Sequence, residues 1–154
     1  MQASFDFEGG EELRKGVERI AKNTPGMVYS TVVQACTLIE IRAKTHHLAG
    51  VTLNPQTHRL QQSVKTSVER KGLFGNEIIG RVGSPVVYAA VHEFGGIIKP
   101  KKGKYLVFQI DGTWIRTTQV NIPKREWLSK SAKDNEAAIG RLFGREVTLL
   151  IEKQ

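Results

Sequence analysis

An α+β fold, with helices packed on an antiparallel sheet, is what this sequence predicts, and three observations predict it. Apolar residues recur at spacings of three and four in the first third of the chain and again near its end, as on one face of a helix. Between those stretches the pattern changes to period two, as in half-buried strands. Turn dipeptides punctuate the strand-like runs, above all Asp111-Gly112. The resulting order is ααββαββα, read as a single domain over residues 1–154.

Each element follows from local chemistry. Over residues 11–22, Leu13, Val17, Ile20 and Ala21 share a stripe with charged residues between them, and Gly9-Gly10 precede it as a flexible lead. Thr24-Pro25 reads as an N-cap followed by a first-turn proline, opening a second helix to about residue 47 on Val28, Val32, Ala35, Cys36, Ile39 and Ala43. One long helix bent at Pro25 is the alternative. Gly50 is a sensible terminator. Beyond the Asn54-Pro55 loop, Val64, Thr66 and Val68 alternate with polar residues, and residues 78–82 form the second strand of a hairpin turned at Gly72 and Gly75-Asn76. Ser84-Pro85 then starts a short helix with Val87, Tyr88, Val91 and Phe94 at helical spacing, stopped by Gly95-Gly96. Residues 105–110 and 114–120 flank Asp111-Gly112 as a hairpin. Ser131 or Asp134 caps a last helix on Ala138, Ile139, Leu142, Phe143 and Val147, with Gly144 making residues 147–151 a candidate edge strand.

Composition narrows the function classes. The chain has 154 residues, 40% hydrophobic and 25% charged, which suits a globular domain with a real core. No apolar run approaches the ~20 residues of a membrane span, so no membrane partner is expected. The acidic start has no basic-then-apolar leader pattern, and the single cysteine, Cys36, forbids an intrachain disulfide, so a reducing compartment is expected. The net charge of +8 is uneven: residues 42–71 carry +5 and residues 99–125 carry +6, while the remaining segments are neutral or acidic. Such blocks suit a polyanionic neighbour or a solvated cationic surface, and no aromatic residues interleave with the lysines as in single-strand platforms.

Catalytic chemistry finds little support, so no catalytic residue, metal or cofactor is assigned. His92-Glu93 opens like a zinc-protease helix, but the position for its second histidine is Gly96. Adjacent His46 and His47 point about 100° apart on a helix and read as a solvated helix end. Cys36 lies on an apolar stripe and reads as core. There is no glycine-rich phosphate loop.

The informative segment is Val82-Gly83-Ser84-Pro85-Val86-Val87-Tyr88-Ala89-Ala90-Val91-His92-Glu93-Phe94-Gly95-Gly96. Downstream come Ile98-Lys99-Pro100-Lys101-Lys102, Tyr105-Leu106-Val107-Phe108 and Ile122-Pro123-Lys124-Arg125-Glu126-Trp127-Leu128. This ordered set, over roughly residues 57–143, resembles tailed-phage head–tail joining and tail-completion (neck) proteins, including the Mu-like virion morphogenesis family. Two positions depart from the family pattern: Glu126 stands where proline is usual and Trp127 where phenylalanine is usual.

The resemblance implies a structural protein and not an enzyme, made in the bacterial host cytoplasm and carried at the neck or tail of the virion. Such subunits assemble as a ring with copies of themselves, against portal, connector or tail-tube proteins, and genomic DNA passes through the opening. Tyr88, Phe94, Gly95, Gly96, Pro123 and Trp127 carry the family motif, with Tyr88 and Phe94 expected to join the short helix to the sheet. Residues 1–10 and the basic loop over residues 97–104 are the expected mobile arms, with Lys99, Lys101, Lys102 and Lys104 facing a neighbouring subunit or DNA. A sequence-independent nucleic-acid-binding protein is the alternative.

Overall fold

The computed structural model describes residues 10–54, 57–72 and 77–152. The fold is α+β. The helices are α1 (Gly10–Arg42), continued by a π-helical stretch (Ala43–Val51), α2 (Arg59–Ser63), α3 (Ala89–Phe94) and α4 (Trp127–Glu152). The strands are β1 (Lys65–Lys71), β2 (Glu77–Gly83), β3 (Gly96–Ile98), β4 (Leu106–Ile110), β5 (Thr113–Thr117) and β6 (Val120–Ile122). They form three two-stranded sheets, β1-β2, β3-β6 and β4-β5, in place of one continuous sheet. Among the described residues, no helix is long and apolar enough to cross a membrane.

Two compact units emerge, the first from residues 1–38, 66–81 and 136–154, the second from residues 39–65 and 82–135. In the first, Thr31, Ala35 and Cys36 are buried on α1. Gly80 of β2 faces them closely: a Cβ there would lie 2.4 Å from Cys36 Sγ and 2.7 Å from Val32 Cγ1. Glycine is the residue that fits. Burial pushes the Cys36 thiol pKa up, away from a reactive thiolate. The alternation expected of β1 is present, with Thr66 and Val68 half-buried between exposed neighbours. The guanidinium of Arg70 sits 5.0 Å from the Tyr29 ring centroid, and Glu69 pairs with Arg81 and Lys71.

The second unit holds a core of Ala43, Leu48, Leu60, Val64, Ala89 and Trp127, with Leu53, Val82, Val86 and Leu128 packed against it. Gly50, at φ 115°, ends the π-helical stretch as expected of a terminator, and the amides of Thr52 and Leu53 donate to the His47 carbonyl.

Several expectations are corrected. The helices foreseen on either side of Thr24-Pro25 are one helix. Pro25 forfeits one backbone donor, whereas stopping there would orphan a full turn of amides and carbonyls at each new end. The last helix starts at Trp127, ahead of Ser131 and Asp134, and continues through Gly144, so residues 147–151 are not a strand. Breaking it would forfeit more bonds than the ~1 kcal/mol each glycine costs. The pairing of β3 with β6, Gly96 opposite Ile122 and Ile98 opposite Val120, was not foreseen because both strands are three residues long. It takes residues 97 and 98 out of the expected loop. Residues 1–9 of the expected arm, Pro55 and the 75–76 turn lie outside the described residues, as do the side chains of Leu13, Val17, Ile20 and Ala21.

Candidate functional site

The motif of the sequence folds into a junction within the second unit. α3 is short, and the residues it buries are Ala89 and Glu93. The Glu93 carboxylate accepts hydrogen bonds from the backbone amides of Leu128 (2.8 Å) and Ser129 (2.9 Å) and from the Ser129 hydroxyl. It is a cap for α4 supplied from 35 residues upstream. A carboxylate also suits the positive end of that helix dipole. In return, the carbonyls of His92 and Glu93 accept from the amides of Arg125 (2.9 Å) and Glu126 (3.1 Å). The C-terminus of α3 and the N-terminus of α4 thus satisfy each other's orphan groups.

Gly95 and Gly96 make the junction close. Gly95 has φ 73°, and a Cβ there would lie 2.9 Å from the Lys124 amide nitrogen and 3.1 Å from the Ile122 carbonyl oxygen. A Cβ on Gly96 would lie 3.1 Å from Val91 Cγ2. Pro123 is exposed on the segment that passes Gly95. Trp127 is 2% exposed, and its indole N–H donates to the Ala89 carbonyl at 3.3 Å. Ser131, fully buried, donates to the Trp127 carbonyl at 2.6 Å. Glu126 takes the left-handed backbone at φ 57°, and Lys124 beside it holds its carboxyl pKa below the usual value.

Tyr88 and Phe94 do not join helix to sheet as core residues. Phe94 is 70% exposed and Val87 94% exposed, while Tyr88 stands at the surface edge-on to His92. The helical spacing selected the apolar stripe, but the buried stripe is the one that carries Glu93, because the cap outweighs the exposure of an aromatic ring. Glu93 was missed for the same reason; an acid inside an apolar stretch, with a helix start downstream, was the available signal. His92 is partly buried with Nδ1 unpartnered; burial, then Arg125, lowers its pKa.

His46, His47 and Asp134 bring one ligand atom each to within 4.8 Å. Those of His47 and Asp134 are engaged by the protein. His47 is buried, not a solvated helix end, with Nδ1 2.8 Å from Thr52 Oγ1 and Nε2 3.1 Å from Asp134 Oδ2. The same Oδ2 accepts from Arg42 Nε at 2.8 Å, and that bond leads the causes lowering the Asp134 pKa. A cation would have to displace Arg42, so the cluster reads as a clamp between neighbouring segments.

The β4-β5 ribbon carries part of the exposed apolar surface of this unit. Asp111 (φ 47°) and Gly112 (φ 81°) form its two-residue turn, matching the hairpin signal. Val107 stands opposite Arg116 and Gln109 opposite Trp114, so these four share one face. Trp114 is 71% and Val107 60% exposed. Tyr105 joins that side through the Arg116 guanidinium, 3.8 Å from its ring centroid. Lys99, Lys101, Lys102 and Lys104 lie on the exposed segment leading into β4 and have no carboxylate partner among the described residues. The basic loop thus adjoins one aromatic side chain, Tyr105, which follows Lys104 directly and carries the Arg116 guanidinium on its ring.

No curated protein matches this chain, and no solved structure does. A family model does match, over residues 10–146, and its span takes in α1, the Glu93 junction and the exposed ribbon together. A chain matched over that much of its length belongs to the phage virion morphogenesis family.

Proposed function

We propose that this chain is a structural, non-catalytic subunit of the virion that joins head to tail or completes the tail. It assembles with copies of itself as a ring at the neck or tail end, against portal, connector or tail-tube proteins, and genomic DNA passes through the opening. The observation that carries this reading is the family match over residues 10–146. Two features of the molecule support it. The buried acid of the motif, Glu93, is spent on holding α3 to α4. The β4-β5 ribbon, in turn, pairs with no third strand among the described residues and exposes Val107 and Trp114. Two-stranded ribbons are marginal in water, so covering this one with a neighbour stabilises both. A ring needs two dissimilar contact surfaces on each subunit, and the ribbon supplies one.

Light scattering over a range of protein and salt concentrations tests the reading. A discrete, salt-resistant oligomer is expected, and the double change Val107→Ser and Trp114→Ser should dissolve it into a folded subunit with unchanged far-ultraviolet circular dichroism and a lower unfolding temperature. A protein that stays monomeric throughout and does not co-assemble with portal or tail-tube proteins overturns the proposal.

A further inference from the structure

The second unit carries 13 Lys and Arg against 5 Asp and Glu, which is the entire net charge of the chain. Three of these cations have an ion-pair partner: Arg42 pairs with Asp134, Lys44 with Glu40 and Lys124 with Glu126. Of the others, Lys99, Lys101, Lys102, Lys104 and Arg116 are grouped about one ribbon, whereas Arg59, Lys65, Arg125, Lys130 and Lys133 are spread over other elements. No carboxylate lies within ion-pair distance of any of the five about the ribbon among the described residues, and all five are exposed. Arg116 is held in place by stacking on Tyr105, which follows Lys104 directly. The one acid of residues 99–125, Asp111, sits in the hairpin turn at the far end of β4 and β5. The cations therefore collect at the root of the ribbon, and the acid is kept at its tip.

From this separation of charge we infer that the root of the β4-β5 ribbon, Lys99, Lys101, Lys102, Lys104 and Arg116, binds the phosphate backbone of duplex DNA without reading its sequence. Unpaired, exposed cations on a fixed root release condensed counterions on meeting phosphates, and that release supplies the affinity. A guanidinium already stacked on an aromatic ring loses little freedom on contact. The choice of duplex DNA among polyanions rests on the virion-assembly reading.

The test is anisotropy of a fluorescein-labelled random-sequence duplex titrated with the purified full-length chain, with light scattering on the same samples. If five phosphates are contacted, log K falls against log salt with a slope of about −4.5, a loss of several hundred-fold between about 50 and about 200 mM. Changing Lys99, Lys101, Lys102 and Lys104 to Gln should reduce the slope to about −1 while leaving thermal unfolding and oligomeric mass unchanged. Absence of binding at low salt overturns the inference, as does a slope the quadruple variant does not change. Equal competition by poly-glutamate also overturns it, and assigns the patch to an acidic protein surface. Because mass and binding are read separately, a monomer that binds DNA defeats only the ring, and an oligomer that does not bind defeats only this inference.

Discussion

The two units differ in how they use charge and where they bury side chains. The first balances 10 cations with 10 anions, and among its described residues only Thr31, Ala35 and Cys36 are buried. The second holds the +8 excess, the aromatic core around Trp127, and every residue of the Phe-Gly-Gly and Ile-Pro segments. The lesson is that the family motif lies in the unit with the closer packing: glycines and a buried acid hold its junction, while the lysines beside it stay exposed.

Substitutions can break this contrast, and the largest effect belongs to the second unit. Trp127→Ala should lower stability by about 4 kcal/mol, from the lost aromatic volume and the orphaned Ala89 carbonyl. Urea unfolding followed by far-ultraviolet circular dichroism measures it. Glu93→Ala should cost about 3 kcal/mol, since two amides of α4 and the Ser129 hydroxyl lose their acceptor together, and Glu93→Gln should recover part of it. Equal stability of the alanine and glutamine variants would show that the capping bonds are worth nothing.

Gly80→Val probes the first unit. It should cost about 2 kcal/mol, because the new Cβ meets Cys36 Sγ and Val32 Cγ1, and it should speed thiol labelling of Cys36, the only cysteine. Acid acts on the second unit more gently. The His92 pKa is lowered on folding, so the unfolded chain binds a proton first, and stability is lost as pH falls from about 6.5 toward the folded value. His92→Gln should flatten the urea midpoint over that window. Asp134, also lowered, acts only near and below its ordinary value of 3.8, where its bond to Arg42 is lost. The smallest effect is expected of Phe94→Ala, about 0.5 kcal/mol or less, because the ring is exposed.

That last expectation shows where the sequence was legible and where it was not. The β4-β5 hairpin was readable because Asp111-Gly112 alone fixes a two-residue turn, and Gly50 because a helix stop needs a positive φ. Trp127 and the two glycines of the motif could be picked out, and they pack at the junction. The role of Phe94 could not be read, since helical spacing ranks apolar residues and cannot know that a buried carboxylate occupies the inward stripe. Nor could the start of α4: its cap is Glu93, and a cap 35 residues away leaves no trace in the local pattern. The continuity of α1 through Pro25 was visible only as an alternative, because local rules score a proline and not the cost of two new helix ends.

Glu126 fixes how the chain enters the last helix. Its backbone at φ 57° is closed to proline, whose ring fixes φ near −65°. Proline at this position would have to leave that path into the last helix, and, having no N–H, would give up the bond that the Glu126 amide makes to the Glu93 carbonyl. The entry to α4 therefore depends on a backbone donor as well as on the Glu93 carboxylate.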